Sequence, residues 1–483
     1  MSTLITFLKL AVEKSPDKTA IEDKDGTISF RDLDLYSESA ALYFSDFLVS
    51  PGDRVVVRGV NSINYVIVIL GLLKARAGFC PVFSSAPTDQ LNYIIDDSQA
   101  TAFIEILESE FLINNKIVSR ENLIYYQCDS GNLCQNYPLP EDLACLIYTS
   151  GSTGKPKGIA TLHKQSFFVI NAILEKIDYY PSDVVLTLSP FSFDYGLYQV
   201  FICFASQSKL FLSSEKDSGV FILKTILSTN ANVLAAVPSM IDNMALLLKR
   251  TDEFKCSLRT ITSTGASVNQ SSIDVIRQEM PDVSFQLMYG LTECKRVSIA
   301  PLDADISRPG TCGLPLSGTE VKIVNEDGVE LKANEMGYIV VIGPHLMSGY
   351  WGAKELTEKT FKTKFDVLRE LHTGDLGWLD EEGYLFCAGR NKDIFKQGGF
   401  RVSCVEVEAA AMSANCAEAA ALIPPAKDKK SKLFVLSSDK NFDFKGYLRT
   451  KIEEYKIPSK VIVLDSMPVN QNGKIDKVEL QNY

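Results

Sequence analysis

The sequence predicts an α/β protein: a large N-terminal domain of parallel-type sheets layered with helices, with a β-rich subdomain, and a small α+β C-terminal domain. Three observations lead there. Short apolar, β-branched runs alternate with segments of helical length over most of the chain, the pattern of parallel strands covered on both faces. From Gly337 the texture changes to shorter strands broken by Gly and Asp turns, as in GYIVVIG, DEEGYLF and KQGGFRV. The C-terminal stretch mixes a two-strand turn, helical patterns and apolar strands. At 483 residues the chain exceeds one ordinary core, and the boundary is drawn between 1–390 and 391–483.

The elements follow in order. The opening MSTLITFLKL leads into charges at Lys9, Glu13 and Lys14, so it reads as a short amphipathic helix rather than a signal peptide. RVVVRG (Arg54–Gly59) precedes a helical stretch to Ala75, and FCPVF and TAFIEI follow with a helix-length segment between them. Strands are expected at VVLTLSP (Val184–Pro190), KLFLS (Lys209–Ser213), NVLAAVP (Asn232–Pro238), RTITSTG (Arg259–Gly265) and FQLMYG (Phe285–Gly290). Helical patterns lie between them at Ser239–Arg250 and Gln270–Met280. In such sheets ligands gather at the carboxyl ends of strands. Near the C-terminus, helices are expected around Ser403–Met412 and Phe444–Tyr455, with strands at KLFVLSS and KVIVLD.

Composition narrows the function classes. With 46% hydrophobic and 23% charged residues the chain has ordinary soluble globular composition. A net charge of −11 argues against non-specific nucleic-acid binding, although a local basic loop can still hold a small anion. The 11 Cys lack CxxC pairs, and 3 His leave little for a zinc site, so the thiols read as reduced core residues. The most apolar stretch, Tyr65–Leu73, is too short to span a bilayer. A cytoplasmic protein without membrane association, and without an appended carrier segment, is the expectation.

One loop stands out. In IYTSGSTGKPKGIA (Ile147–Ala160), nine of fourteen residues are Ser, Thr, Gly or Lys, between two apolar runs. Gly and Ser let backbone N–H groups approach an anion, and Lys155 and Lys157 add charge, which suits a polyphosphate. It is not a P-loop: Pro156 follows Lys155, and no Gly stands five residues before Gly154. Taken alone, it leaves a flexible surface loop as the lesser alternative reading.

YTSGSTGKPKG (Tyr148–Gly158) resembles the phosphate loop of the adenylate-forming superfamily, which holds acyl-CoA synthetases, luciferases and the adenylation domains of non-ribosomal peptide synthetases. Four further stretches resemble its motifs in order: YGLTEC (Tyr289–Cys294), HTGDLG (His372–Gly377), GRNKDIFKQGGFRVSCVEVE (Gly389–Glu408) and NQNGKID (Asn470–Asp476). The resemblance implies two half-reactions. A carboxylate attacks the α-phosphorus of ATP, giving an acyl-adenylate and pyrophosphate; a thiol then displaces AMP. It also implies roles. Thr149, Ser150, Gly151, Ser152, Thr153, Gly154, Lys155 and Lys157 would hold the phosphates. Thr292 would bond the α-phosphate and Glu293 would contact Mg²⁺, a hard ion suited to oxygen ligands. Tyr289, next to Gly290, would stack on adenine, with Gly265 and Ala266 on its other side. Asp375 would accept the ribose hydroxyls, Arg390 would reach the nucleotide, and Lys474 would meet the carboxylate and the α-phosphate. Lys392 would be the hinge about which the C-terminal domain swings, bringing Arg401 towards the thiol or the nucleotide. One departure is Cys404 where the family often has Pro, a matter of helix initiation.

The resemblance does not fix the acid. By motif register the acid pocket comprises Asp194, Tyr195, Tyr198, Ala235, Thr262, Thr264, Met288, Arg296 and Val297. SPFSFDYGLYQVF (Ser189–Phe201) lacks the His of many fatty and acetyl ligases and places Asp194 where peptide-synthetase domains hold the substrate α-amine. Asp194 could instead be a helix N-cap, and Gly196 stands where Ser is common. Arg296 could offset Asp194, bind a second carboxylate, or point to solvent. The expected function is activation of an amino acid or similar small acid with ATP and Mg²⁺ and its transfer to the phosphopantetheine thiol of a carrier protein. An acyl-CoA synthetase is the alternative, for which Lys427, Lys429 and Lys430 could meet the CoA phosphates or be a solvated cluster. A third reading is an inactive adenylate-binding homologue, against which Glu293, Asp375, Arg390 and Lys474 argue.

Overall fold

A computed structural model describes residues 2–107, 110–126, 137–149, 156–213, 217, 219–251, 253–364, 368–390, 394–397, 400–425, 430–452, 454–469 and 475–483. Within them the N-terminal region is built on two large sheets. The first has eight strands. Arg54–Arg58 lies parallel to Gly78–Val82 on one side and Ala102–Ile106 on the other. Beyond Gly78–Val82 come β1 (Leu143–Thr149), parallel to it, and β2 (Lys157–Leu162), antiparallel to β1. β1 and β2 are therefore the two arms of a β-hairpin.

In the second sheet β3 (Val184–Thr187), β4 (Val233–Ala236), β5 (Thr260–Ser263) and β6 (Ser284–Tyr289) are parallel neighbours. Lys209–Leu212 extends the sheet in parallel on the far side of β3. From β6 the same sheet continues antiparallel through Ser298–Ile299 and Thr311–Pro315 into the β-rich part. That part includes β7 (Leu368–Leu379) and β8 (Leu385–Arg390), which pair with each other. The β-rich subdomain foreseen from Gly and Asp turns is thus hydrogen-bonded to the parallel sheet.

The layers follow from side-chain alternation. Leu186, Leu234, Ile261 and Phe285 share one face and pack with Ile226, Ile241, Met244 and Ile273 of the outer helices. The opposite face meets α1 (Asp194–Ser206), in which every residue from Tyr195 to Phe204 is buried. One core joins this face, α1 and the first sheet through Val57, Phe79, Ile147, Val185, Phe201 and Met288. A helix apolar all round is what a buried position between two sheets requires.

The C-terminal residues form their own unit: the hairpin Ile394–Gln397 and Phe400–Ser403, then α2 (Cys404–Met412), then a three-stranded sheet of Ala417–Ile423, Lys432–Ser437 and Lys460–Leu464. Its core includes Val402, Val407, Leu422, Leu433 and Phe444. Ser403 caps α2 on the Glu406 amide and donates to the Ala388 carbonyl (2.8 Å), so this helix starts without Pro, on a buried Cys404. The helix expected over Phe444–Tyr455 is shorter, Phe444–Leu448, with a 3₁₀ turn at Glu454–Lys456. Thr450 and Lys451 donate their amides to Tyr447 and Leu448, three residues back, and the Thr450 hydroxyl also returns to the Tyr447 carbonyl. These tighter bonds end the α-helix. Among the described residues no helix is long and apolar enough to cross a membrane.

Candidate active site

The candidate site gathers where β6 ends. After Tyr289 the chain reverses through residues 290–297 and returns as the antiparallel strand Ser298–Ile299. Gly290 permits the reversal: a Cβ there would stand 2.3 Å from the Lys295 carbonyl oxygen. Lys295 adopts φ 64°, uncommon for a side-chain-bearing residue.

On the nucleotide side, the Tyr289 hydroxyl donates to Asp375 Oδ2 at 2.6 Å, with both residues buried. Burial, and then the Asp375 charge, push the Tyr289 hydroxyl well above its ordinary pKa, so it stays a donor. The Asp375 amide donates to Thr373 Oγ1 (3.1 Å), and Thr373 is itself anchored on the Ile339 carbonyl. Asp375 lies directly across from Arg390 in the β7–β8 register. The backbone of Arg390 and of Arg401 is described, and their side chains lie outside the described residues.

Glu293 and Thr292 are half-buried in the reversal. Glu293 Oε1 accepts from the Tyr350 hydroxyl at 2.6 Å, and the Glu293 carbonyl accepts from the Met347 amide. Tyr350 pairs with Ile159 of β2, and the Trp351 amide bonds the Gly158 carbonyl. Glu293 is thereby tied to the hairpin whose ends, Thr149 and Lys157, face each other. Ser150, Gly151, Ser152, Thr153, Gly154, Lys155, the hinge position Lys392, Lys474, Lys427 and Lys429 lie outside the described residues. Gly265, at φ 96°, and the exposed Ala266 follow β5.

The acid-pocket positions converge on the face of the sheet that meets α1. Thr187, Ala235, Thr262 and Gln286 stand level on adjacent strands, and Thr264 and Met288 are the next residues on that face. The Tyr195 hydroxyl bonds the hydroxyl and the carbonyl of Thr262 (2.7 and 2.8 Å), and the Tyr198 hydroxyl bonds Ser166 (2.6 Å). Gly196 has a packing reason: a Cβ would meet the Ser189 carbonyl oxygen at 2.3 Å. Val297 is set apart, in the core that joins Ile159, Cys294 and Val321.

Two of the alternatives left open by the sequence fall away. Asp194 is not an N-cap. It is the first residue of α1, Phe193 holds the cap position, and no side-chain cap bond is made there. Its carboxylate faces a cation instead, Lys295 Nζ at 3.7 Å. Arg296 does not point to solvent: it is 6% exposed, donates from Nη1 to Thr264 Oγ1 (2.8 Å) and lies over the Tyr195 ring. Sequence reasoning missed Lys295. The signal was a Lys beside Arg296 in an otherwise apolar run, CKRVSIA. It also missed Tyr350, which lies far from any motif.

Among the described residues no group of three or more His, Cys, Asp or Glu could hold a metal ion. A cation at Glu293 would therefore rest on one carboxylate, completed by phosphate oxygens and water, which is how Mg²⁺ is commonly bound.

Comparison with known proteins gives a family. The profile described as AMP-binding enzyme matches residues 8–351. Tyrocidine synthase 3 of Brevibacillus parabrevis is 28% identical over 99% of this chain, which spans only 8% of that protein. The D-alanine–D-alanyl carrier protein ligase of Bacillus anthracis is 27% identical over 99% of both chains. Among solved structures, VinN is 32% identical, with a TM-score of 0.71 over 80% of this chain and 98% of its own. The same protein has been solved with L-aspartate, at 31% identity and a TM-score of 0.70.

Proposed function

Because the chain belongs to the AMP-binding enzyme family, we propose that it is an AMP-forming acid–thiol ligase. It activates a carboxylic substrate, an amino acid or similar small acid, with ATP, releases pyrophosphate, and passes the acyl group from AMP to the phosphopantetheine thiol of a carrier protein. The observation that supports this reading is the bonded pair Tyr289–Asp375 at the end of β6, with the buried polar groups of Tyr195, Thr262, Thr264 and Arg296 bonded to one another on the face that meets α1. Among the relatives, the D-alanine ligase supports a carrier protein as acceptor, and the VinN complex supports an amino acid as substrate.

The chemistry assigns tasks to residues. Asp375 accepts the ribose hydroxyls, and the Tyr289 ring covers adenine opposite Gly265 and Ala266. The residues from Thr149 to Gly154, with Lys155, Lys157, Thr292 and Arg390, hold the phosphates. Glu293, oriented by Tyr350, is the residue that would hold Mg²⁺; the ion supplies positive charge against the phosphate oxygens. Lys474 steadies the attacking carboxylate against the α-phosphate, where charge builds in the transition state. The carboxylate oxygen bonds phosphorus as pyrophosphate leaves; the thiol sulfur then bonds the acyl carbon as AMP leaves. Lys392 is the hinge between the two steps, and Arg401 serves the second.

The test is to incubate the protein with ATP, Mg²⁺ and a panel of acids, then with a phosphopantetheinylated carrier protein or CoA. Acid-dependent pyrophosphate and AMP, and acyl transfer to the carrier, are expected. Transfer to CoA with none to carrier would replace the acceptor, and nucleotide binding without turnover would make the protein an inactive homologue.

A further inference from the structure

The acid pocket holds more positive than negative charge. Among the described residues that form it, Asp194 is the carboxylate, and two cations, Lys295 and Arg296, are 3% and 6% exposed beside it. Lys295 is the partner of Asp194, at 3.7 Å, and its Nζ makes no hydrogen bond. Arg296 faces the Thr264 hydroxyl and the Tyr195 ring, and its Nε is buried without a partner. The other pocket groups, from α1, β4, β5 and β6, are Tyr195, Tyr198, Ala235, Thr262 and Met288, and none carries charge at neutral pH.

Resting on the adenylation reading, we propose that the acid taken by this site carries a second carboxylate and that Arg296 receives it. Among the described residues this buried guanidinium is held by one hydroxyl and has no carboxylate within ion-pair distance, the anion that ordinarily compensates such a charge. Its planar fork matches a carboxylate with two parallel hydrogen bonds. The reacting carboxylate cannot be that anion throughout. Once its oxygen is bonded to the α-phosphorus it is a mixed anhydride and has lost its charge, whereas a second carboxylate stays ionised through both half-reactions. A substrate offering only an ammonium group would place a third cation against the one carboxylate of Asp194, which Lys295 already faces. Diacids, with or without an amine, are therefore the matching class.

Acid-dependent exchange of labelled pyrophosphate into ATP tests this on matched pairs: succinate with butyrate, L-aspartate with L-asparagine, L-glutamate with L-glutamine. One diacid should exceed its partner by roughly 10²-fold or more in kcat/KM, since a site built for a polar group rejects the analogue lacking it. Arg296→Gln should remove most of that preference, lowering the diacid rate far more than the rate of the matched acid. The milder Thr264→Val should raise the diacid KM by about fivefold, one hydrogen bond's worth, and covers the case in which Arg296→Gln does not fold. Equal use of matched acids, or equal loss of both in Arg296→Gln, would overturn the second carboxylate and leave adenylation standing. Exchange with no acid at all would overturn both.

Discussion

Asp194 and Lys295 meet in a nearly dry space, and that contact sets what each is worth. Removing one partner of a buried pair strands the other charge, at about 3–5 kcal/mol. Asp194→Ala should therefore destabilise the fold by that order, and adding Lys295→Met should recover much of the loss. Chemical denaturation of the two single variants and the double variant checks this as a cycle. Additive losses would mean that the two side chains do not act on each other. The sequence left open whether Arg296 offsets Asp194, because spacing along the chain cannot tell which of two adjacent cations meets a given carboxylate; in the fold it is Lys295, at 3.7 Å. Lys474 carries the other prediction at this scale. Lys474→Ala should cost adenylation roughly 10²–10³-fold, the usual loss for one transition-state donor, and leave thioester formation from preformed acyl-adenylate nearly intact. Equal loss in both assays would remove this role.

The elements were legible to different degrees, for physical reasons. The parallel strands from Val184 to Tyr289 were readable because buried strands of such sheets are short continuous apolar runs. Motif register named Thr262, Thr264 and Met288 together, and alternation along β5 and β6 puts them on one side of the sheet. The start of α1 was left open, since an Asp before an apolar run also signals a cap; here Phe193 takes the extended cap conformation and Asp194 begins the helix. The hairpin β1–β2 and its link to Glu293 through Tyr350 depend on strand pairing across 191 residues, from Ile159 to Tyr350, which no local pattern encodes. The hinge belongs at this scale. If the C-terminal unit turns about Lys392, Lys392→Pro, which fixes φ near −65°, should leave adenylation largely intact and slow thioester formation. Stopped-flow measurement of each half-reaction distinguishes this from general damage, which would slow both.

For the whole molecule, two buried histidines link stability to pH. Burial pushes His163 and His345 down to about 4, and His163 Nδ1 accepts the Leu4 amide at 3.2 Å, which needs the neutral ring. An unfolded histidine binds its proton near pH 6.5. Between about 6.5 and 4 the unfolded chain thus holds more protons, and stability falls as pH falls through that window. The loss should approach roughly 3 kcal/mol for each ring by the lower end. Denaturation across pH 4–7, repeated with His163→Gln, should show a shallower slope in the variant; an unchanged slope would exclude His163 as a source. The central claim, that a carboxylate oxygen attacks the α-phosphorus, has its own direct measurement. An acid that the enzyme activates is labelled with ¹⁸O in its carboxylate and turned over with ATP and the thiol acceptor, and the nucleotide product is examined by mass spectrometry. One ¹⁸O atom in AMP is the predicted result; unlabelled AMP, or ADP with the label in inorganic phosphate, would contradict it.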